Sequence, residues 1–122
     1  MRLGAAEHDL AVSRSSHLPH VVAAMLAGLV LGPKQPKSQA GLCATGFRDT
    51  TRVASGSPEM WRDIVLANRK NVSQSLDTFV AELKQFQAAL RKSDGKAVEN
   101  FFAVAKERRD NWFKKSISSS SE

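Results

Sequence analysis

Two short polar segments interrupt an otherwise apolar, helix-forming chain, and they hold the side chains best suited to chemistry. The first is Ser16-His17-Leu18-Pro19-His20 and the second Gly46-Phe47-Arg48-Asp49-Thr50-Thr51-Arg52, followed by Pro58-Glu59-Met60-Trp61-Arg62-Asp63-Ile64. His17 and His20 are three apart, and Arg48 and Arg52 four apart, so on helices each pair shares a face. An arginine fork donates two parallel hydrogen bonds to a carboxylate. Imidazoles at a helix kink add donors beside it. Together these groups suit a small anionic ligand. Asp49 could instead pair with either arginine, and Arg62 and Asp63 could bridge helices, so structural ion pairs are the competing account. Trp61 is expected to anchor the core.

Other chemistries fit less well. A zinc site needs three or four ligands, and only His8 and Asp9 lie near the His17–His20 pair, with no second ligand cluster downstream. Hydrogen-bonded structural histidines at a kink remain an alternative. No glycine-rich strand-to-helix turn, phosphate loop, or Cys-His or Ser-His-Asp order is present. The one cysteine, Cys43, lies among small apolar residues with no adjacent base, which reads as an inert thiol in a reducing compartment.

The elements that must position these groups are helical. Ala5 to Leu31 reads as one helix with Pro19 inside it, where the missing backbone donor should kink the helix or mark a junction. Gly32-Pro33 stops it, and Lys34 to Gln39 reads as a loop. A short helix is expected over Gly46 to Ala54. Ser57-Pro58-Glu59 is a strong start signal: a serine cap, proline at the first position and an acid facing the positive helix end. From there Trp61, Val65, Val72, Leu76, Phe79, Leu83, Phe86 and Leu90 form a stripe. With Asn68 filling its one gap, the pattern predicts a single helix of about 30 residues. A stripe that long suggests a second chain packed against it, or else an intramolecular bundle. Ser93-Asp94-Gly95 is a turn before a last helix carrying Val98, Phe101, Phe102, Ala105 and Trp112 on one side. No segment alternates with period two, so no sheet is expected.

At 122 residues the chain is expected to be one domain, small for an enzyme that must also house a dinucleotide. Its net charge of +6 can attract nucleic acid, anionic lipid or a carboxylate substrate, but the cations are spread along the chain as on solvated helix faces. The apolar run Val21 to Leu31 is shorter than the ~20 residues of a membrane span and follows a segment unlike a secretory leader.

The ordered set His8-Asp9, Ser16-His17-Leu18-Pro19-His20, Gly46 to Ala54, Pro58 to Ile64 and Asn68 resembles the C-terminal, all-helical domain of prephenate and arogenate dehydrogenases, from about Glu7 to Asp110. The resemblance implies a domain that forms an intertwined dimer and contributes to the substrate pocket of an enzyme whose first domain, a Rossmann fold, binds NAD or NADP. The reaction is oxidative decarboxylation in tyrosine biosynthesis, with hydride passing from the substrate ring to the nicotinamide. By the same resemblance His20 and Arg52 anchor substrate carboxylates, and Ser16, His17, Arg48 and Trp61 line or support the pocket. The cofactor domain is absent from this chain, and with it the family's catalytic histidine. Thr50 stands where an aromatic is common, and Ala44-Thr45-Gly46 replaces a more glycine-rich approach.

The expectation is therefore an all-α helical bundle with long helices. A single domain over residues 1–115 serves substrate binding and dimerisation, with a flexible tail over 116–122. The chain is expected to be cytoplasmic and homodimeric, to bind prephenate, arogenate or tyrosine, to bind no cofactor, metal, membrane or nucleic acid by itself, and to be inactive alone. A non-catalytic module sensing an aromatic acid such as tyrosine is the alternative. A basic module binding nucleic acid is a third reading, without any recognised reading helix.

Overall fold

The computed structural model describes residues 3–120, and among them every regular element is a helix. The first long helical stretch is α1 (Ala5–Val12), a π-helical turn (Ser13–His17) and α2 (Leu18–Val30). Pro19 explains the turn. A proline inside an α-helix lacks the N–H donor, and its ring meets the carbonyl four residues back. The backbone widens just upstream, where the Leu18 N–H donates to the Ser13 carbonyl five residues back. Proline then occupies the first turn of α2, where no donor is required. The expected kink is thus a π turn on the N-terminal side of Pro19. Serines favour the loosening: Ser13 Oγ donates to the Leu10 carbonyl (2.7 Å) and Ser15 Oγ to that of Ala11 (3.0 Å).

Gly32-Pro33 ends α2 as expected, but the following segment is not all loop. A short helix, α3 (Lys37–Gly41), begins after Pro36. It is held by Gln39, whose Nε2 donates to the Val30 carbonyl at 2.9 Å. That carbonyl is among the last of α2 and has no partner within its own helix. Then come α4 (Thr45–Thr51) and a 3-10 turn (Arg52–Ser55), both packed on α2. Buried Thr51 ties the end of α4 through its Oγ1 to the Phe47 carbonyl (2.7 Å).

Helix α5 (Pro58–Ala67) starts as the cap signal predicts, with Ser57 Oγ accepting the Met60 N–H at 3.3 Å. The single long helix expected from Trp61 to Leu90 is instead two. Asn68, with φ −121° and ψ 30°, ends α5, and α6 (Arg69–Arg91) follows. Its amide is spent on tertiary contacts rather than on filling the stripe. Ser93, at φ 53°, makes the next turn. Asp94 Oδ1 accepts the Ala97 N–H at 3.0 Å and starts α7 (Gly95–Ser120), which extends into the stretch expected to fray.

The chain divides into two compact units, Met1–Asp77 and Thr78–Glu122. The first closes around Ala23 and Val72, with the buried hydroxyls of Ser13 and Ser75 3.0 Å apart between the π turn and α6. In the second, Phe86 of α6 meets Phe101 and Phe102 of α7 at ring-centroid distances of 4.5 and 5.8 Å. No described side chain of that second unit is fully buried.

Candidate functional site

The site is assembled where the π turn, α2, the 3-10 turn and α5 converge. His20, in the first turn of α2, stacks on Trp61 from the first turn of α5, with centroids 3.5 Å apart and planes 17° from parallel. His17, at the end of the π turn, meets the same indole edge-on at 6.3 Å and 82°. Trp61 is therefore half-buried against two imidazoles rather than sunk in an aliphatic core. Gly56 closes one side of the stack. A Cβ there would lie 3.0 Å from Trp61 Nε1, 3.2 Å from its Cδ1 and 3.3 Å from His20 Cε1, so a side chain would press on both rings.

Burial lowers the His20 pKa from its ordinary value, so the ring is a neutral donor and acceptor at neutral pH. Positive charge must come from the arginines. Arg48 and Arg52 are exposed, and Arg52 begins the 3-10 turn that packs on α2, the helix carrying His20. Among the described residues the ion pairs are His8–Asp9, Arg62–Asp63 and Lys106–Asp110, so Asp49 does not fix either arginine. Arg62 and Asp63 were expected to bridge helices. They pair with each other at 2.9 Å on the exposed side of α5, because adjacent side chains reach one another before a neighbouring helix. Ser16 is exposed within the π turn. Beyond the stack an open, mainly apolar groove of about 560 Å³ runs between α2 and α5, lined by Met25, Leu29, Arg62 and Val65.

His17 is nearly buried, at 9% exposure, and is held from the far side by Asn68. The Asn68 amide donates to the Asp9 carbonyl at 2.7 Å and approaches His17 Nδ1 at 3.3 Å, while its Oδ1 accepts from the Asn71 amide at 2.9 Å. The roles of Gly56 and Asn68 were not read from the sequence. Their only local signals were a pattern break and a polar residue in an apolar stripe. Cys43 Sγ points back to the Gln39 carbonyl (3.5 Å), as a half-buried structural thiol does. Among the described residues no three His, Cys, Asp or Glu side chains gather as a metal would require.

The family profile described as "Prephenate dehydrogenase, dimerization domain" matches residues 4–107. The chain belongs to this family. Its relatives include the cyclohexadienyl dehydrogenase of Zymomonas mobilis, 37% identical over 110 residues, with 88% of this chain and 37% of that protein covered. The prephenate dehydrogenase of Bacillus subtilis is 38% identical over 109 residues, covering 85% and 28%. Among solved structures, Synechocystis arogenate dehydrogenase superposes with a TM-score of 0.83 at 29% identity, covering 90% of this chain and 41% of that one. The A. aeolicus prephenate dehydrogenase, determined with hydroxyphenyl propionate and NAD+, superposes with a TM-score of 0.72 at 32% identity, covering 84% and 37%. The chain thus spans about a third of the length of these dehydrogenases. It corresponds to their helical dimerization domain, and the matched segment crosses the boundary between the two compact units.

Proposed function

We propose that this chain supplies dimerisation and substrate-carboxylate binding to a prephenate or arogenate dehydrogenase of tyrosine biosynthesis, in the cytoplasm. The observation that carries the reading is the His20–Trp61 stack under Gly56, beside the turn that presents Arg52. A flat indole suits a six-membered ring, and unpaired guanidinium groups suit carboxylates. In this assignment Arg52 and His20 hold the carboxylates, Arg48 adds positive charge at the rim, Ser16 offers a hydroxyl, and His17 supports Trp61 from its edge. The family's known activity needs NAD or NADP. The described residues contain no strand and no glycine-rich turn leading from one, so they do not fit a dinucleotide, and no chemical step is assigned to them.

The same proposal makes the chain a homodimer. The α6 stripe leaves Val80, Leu83 and Leu90 exposed, and α7 leaves Phe101, Phe102, Trp112 and Phe113 between 45% and 59% exposed. Apolar surface of that extent marks a protein interface. No described helix is long and apolar enough to cross a membrane.

The chain alone should not turn over substrate. Purified chain mixed with prephenate or arogenate and either NAD+ or NADP+ is expected to give no reduced nicotinamide above background. Sustained turnover would overturn the assignment of binding and dimerisation without catalysis.

A further inference from the structure

We propose that Asn68 is the positioning residue of this site: its amide holds His17 in a single tautomer and locks the π turn that leads into α2, so that His17 and His20 both meet Trp61. The proposal rests on the binding role assigned above. The Asp9 carbonyl can only accept, so the nitrogen of the Asn68 amide faces it, at 2.7 Å. The same nitrogen then faces His17 Nδ1 at 3.3 Å, and Asn71 donating to Oδ1 at 2.9 Å agrees with that orientation. Both amide hydrogens and the carbonyl oxygen are therefore used. A ring nitrogen that meets an N–H donor must accept, so the His17 proton is on Nε2.

The geometry makes this more than local packing. Asn68 bridges residues 59 and 51 positions away in sequence, at the break between α5 and α6. One amide fixes the last turn of α1 through Asp9 and the end of the π turn through His17. His20 follows three residues later in the same helical stretch. Trp61 lies on α5, whose C-terminus Asn68 caps. Asn68 thus ties the end of α5, which carries Trp61, to α1 and the π turn that lead into the helix of His20.

The test is long-range proton–nitrogen NMR of the histidine rings on the whole chain, with calorimetric titration of hydroxyphenyl propionate. In the wild type, His17 is expected to carry its proton on Nε2. A proton on Nδ1 overturns the proposal without any variant being made. Asn68→Asp replaces the donor with an acceptor, and His17 should switch to the Nδ1-protonated form while helical content by circular dichroism is retained. An unchanged tautomer in a folded Asn68→Asp chain also overturns it. Should that variant fail to fold, Asn68→Ser keeps a smaller donor and provides the comparison: it should loosen the tautomer into a mixture, and a retained pure Nε2 form counts against Asn68 as its cause. Ligand affinity is expected to fall about tenfold in whichever variant folds, the effect of one lost buried hydrogen bond. Affinity within twofold of wild type refutes the positioning role. Wild-type chain that shows the Nε2 proton but binds no ligand refutes the binding reading instead, leaving the tautomer assignment standing.

Discussion

His20 is the residue whose environment carries the plainest consequence. Stacking on Trp61 removes one face of the ring from water, and burial disfavours the imidazolium, so its folded pKa lies below the unfolded value of about 6.5. The sign follows directly. Between the two values the unfolded chain binds more protons, so stability rises with pH through that window. It is fully present above the unfolded value and declines as pH falls towards the folded one. Urea unfolding should therefore give a lower stability at about pH 5.5 than at about pH 7.5, and His20→Asn should flatten that difference. A wild type more stable at the lower pH, or an unaltered slope in the variant, would contradict the account. Residue types at the site were legible: a histidine pair, an arginine pair and a tryptophan carry recognisable chemistry. Their meeting was not. His20 and Trp61 are far apart in sequence, and only the packing of α5 on α2 stacks them.

At the scale of elements, local chemistry was read correctly where it acts locally. Ser57 and Pro58 start α5 through a hydrogen bond three residues long, and Ser57→Ala should cost about 1 kcal/mol in thermal or urea unfolding. A cost near zero would mean that the cap is not formed in solution. Gly32-Pro33 stopped α2 for the same local reason. Pro19 announced a disruption on its N-terminal side, but the contacts that hold the resulting π turn, Ser13 to Ser75 and Asn68 to Asp9, join residues far apart in sequence and were not legible. The break at Asn68 was invisible for a related reason. A helical period tolerates one polar residue, and nothing local distinguishes an asparagine filling a stripe from one that leaves it for a carbonyl on another helix. The short α3 was missed because the Gln39 side chain, not backbone propensity, secures it to the end of α2.

At the scale of the molecule, the balance of burial decides what the chain must do. Among the described residues only Ala23 and Val72 are buried hydrophobics, whereas a fully buried large apolar side chain contributes about 1.5–3 kcal/mol. Sixteen large hydrophobic residues among those described are exposed, and several lie on α6 and α7, so the favourable term missing from the single chain is available to a second copy. Light scattering should return twice the 13.3 kDa chain mass. Leu83→Glu, on the exposed stripe, should shift the population towards monomer with helicity kept. A wild-type monomer at all accessible concentrations would remove the dimer from the account. The all-helical class was readable from periodicity, because it depends on the local pattern of apolar residues rather than on contacts between distant segments; the continuity of the stripe across Asn68 was not.

The most direct test of the central claim, that this helical domain captures a ring-bearing carboxylate at the His20–Trp61 stack, is calorimetric titration of the wild-type chain and Arg52→Ala with prephenate. The account predicts saturable binding to the wild type, weakened about tenfold to a hundredfold when the guanidinium is removed, the scale of a charge-assisted pair. No binding to the wild type, or equal binding to both, would contradict it.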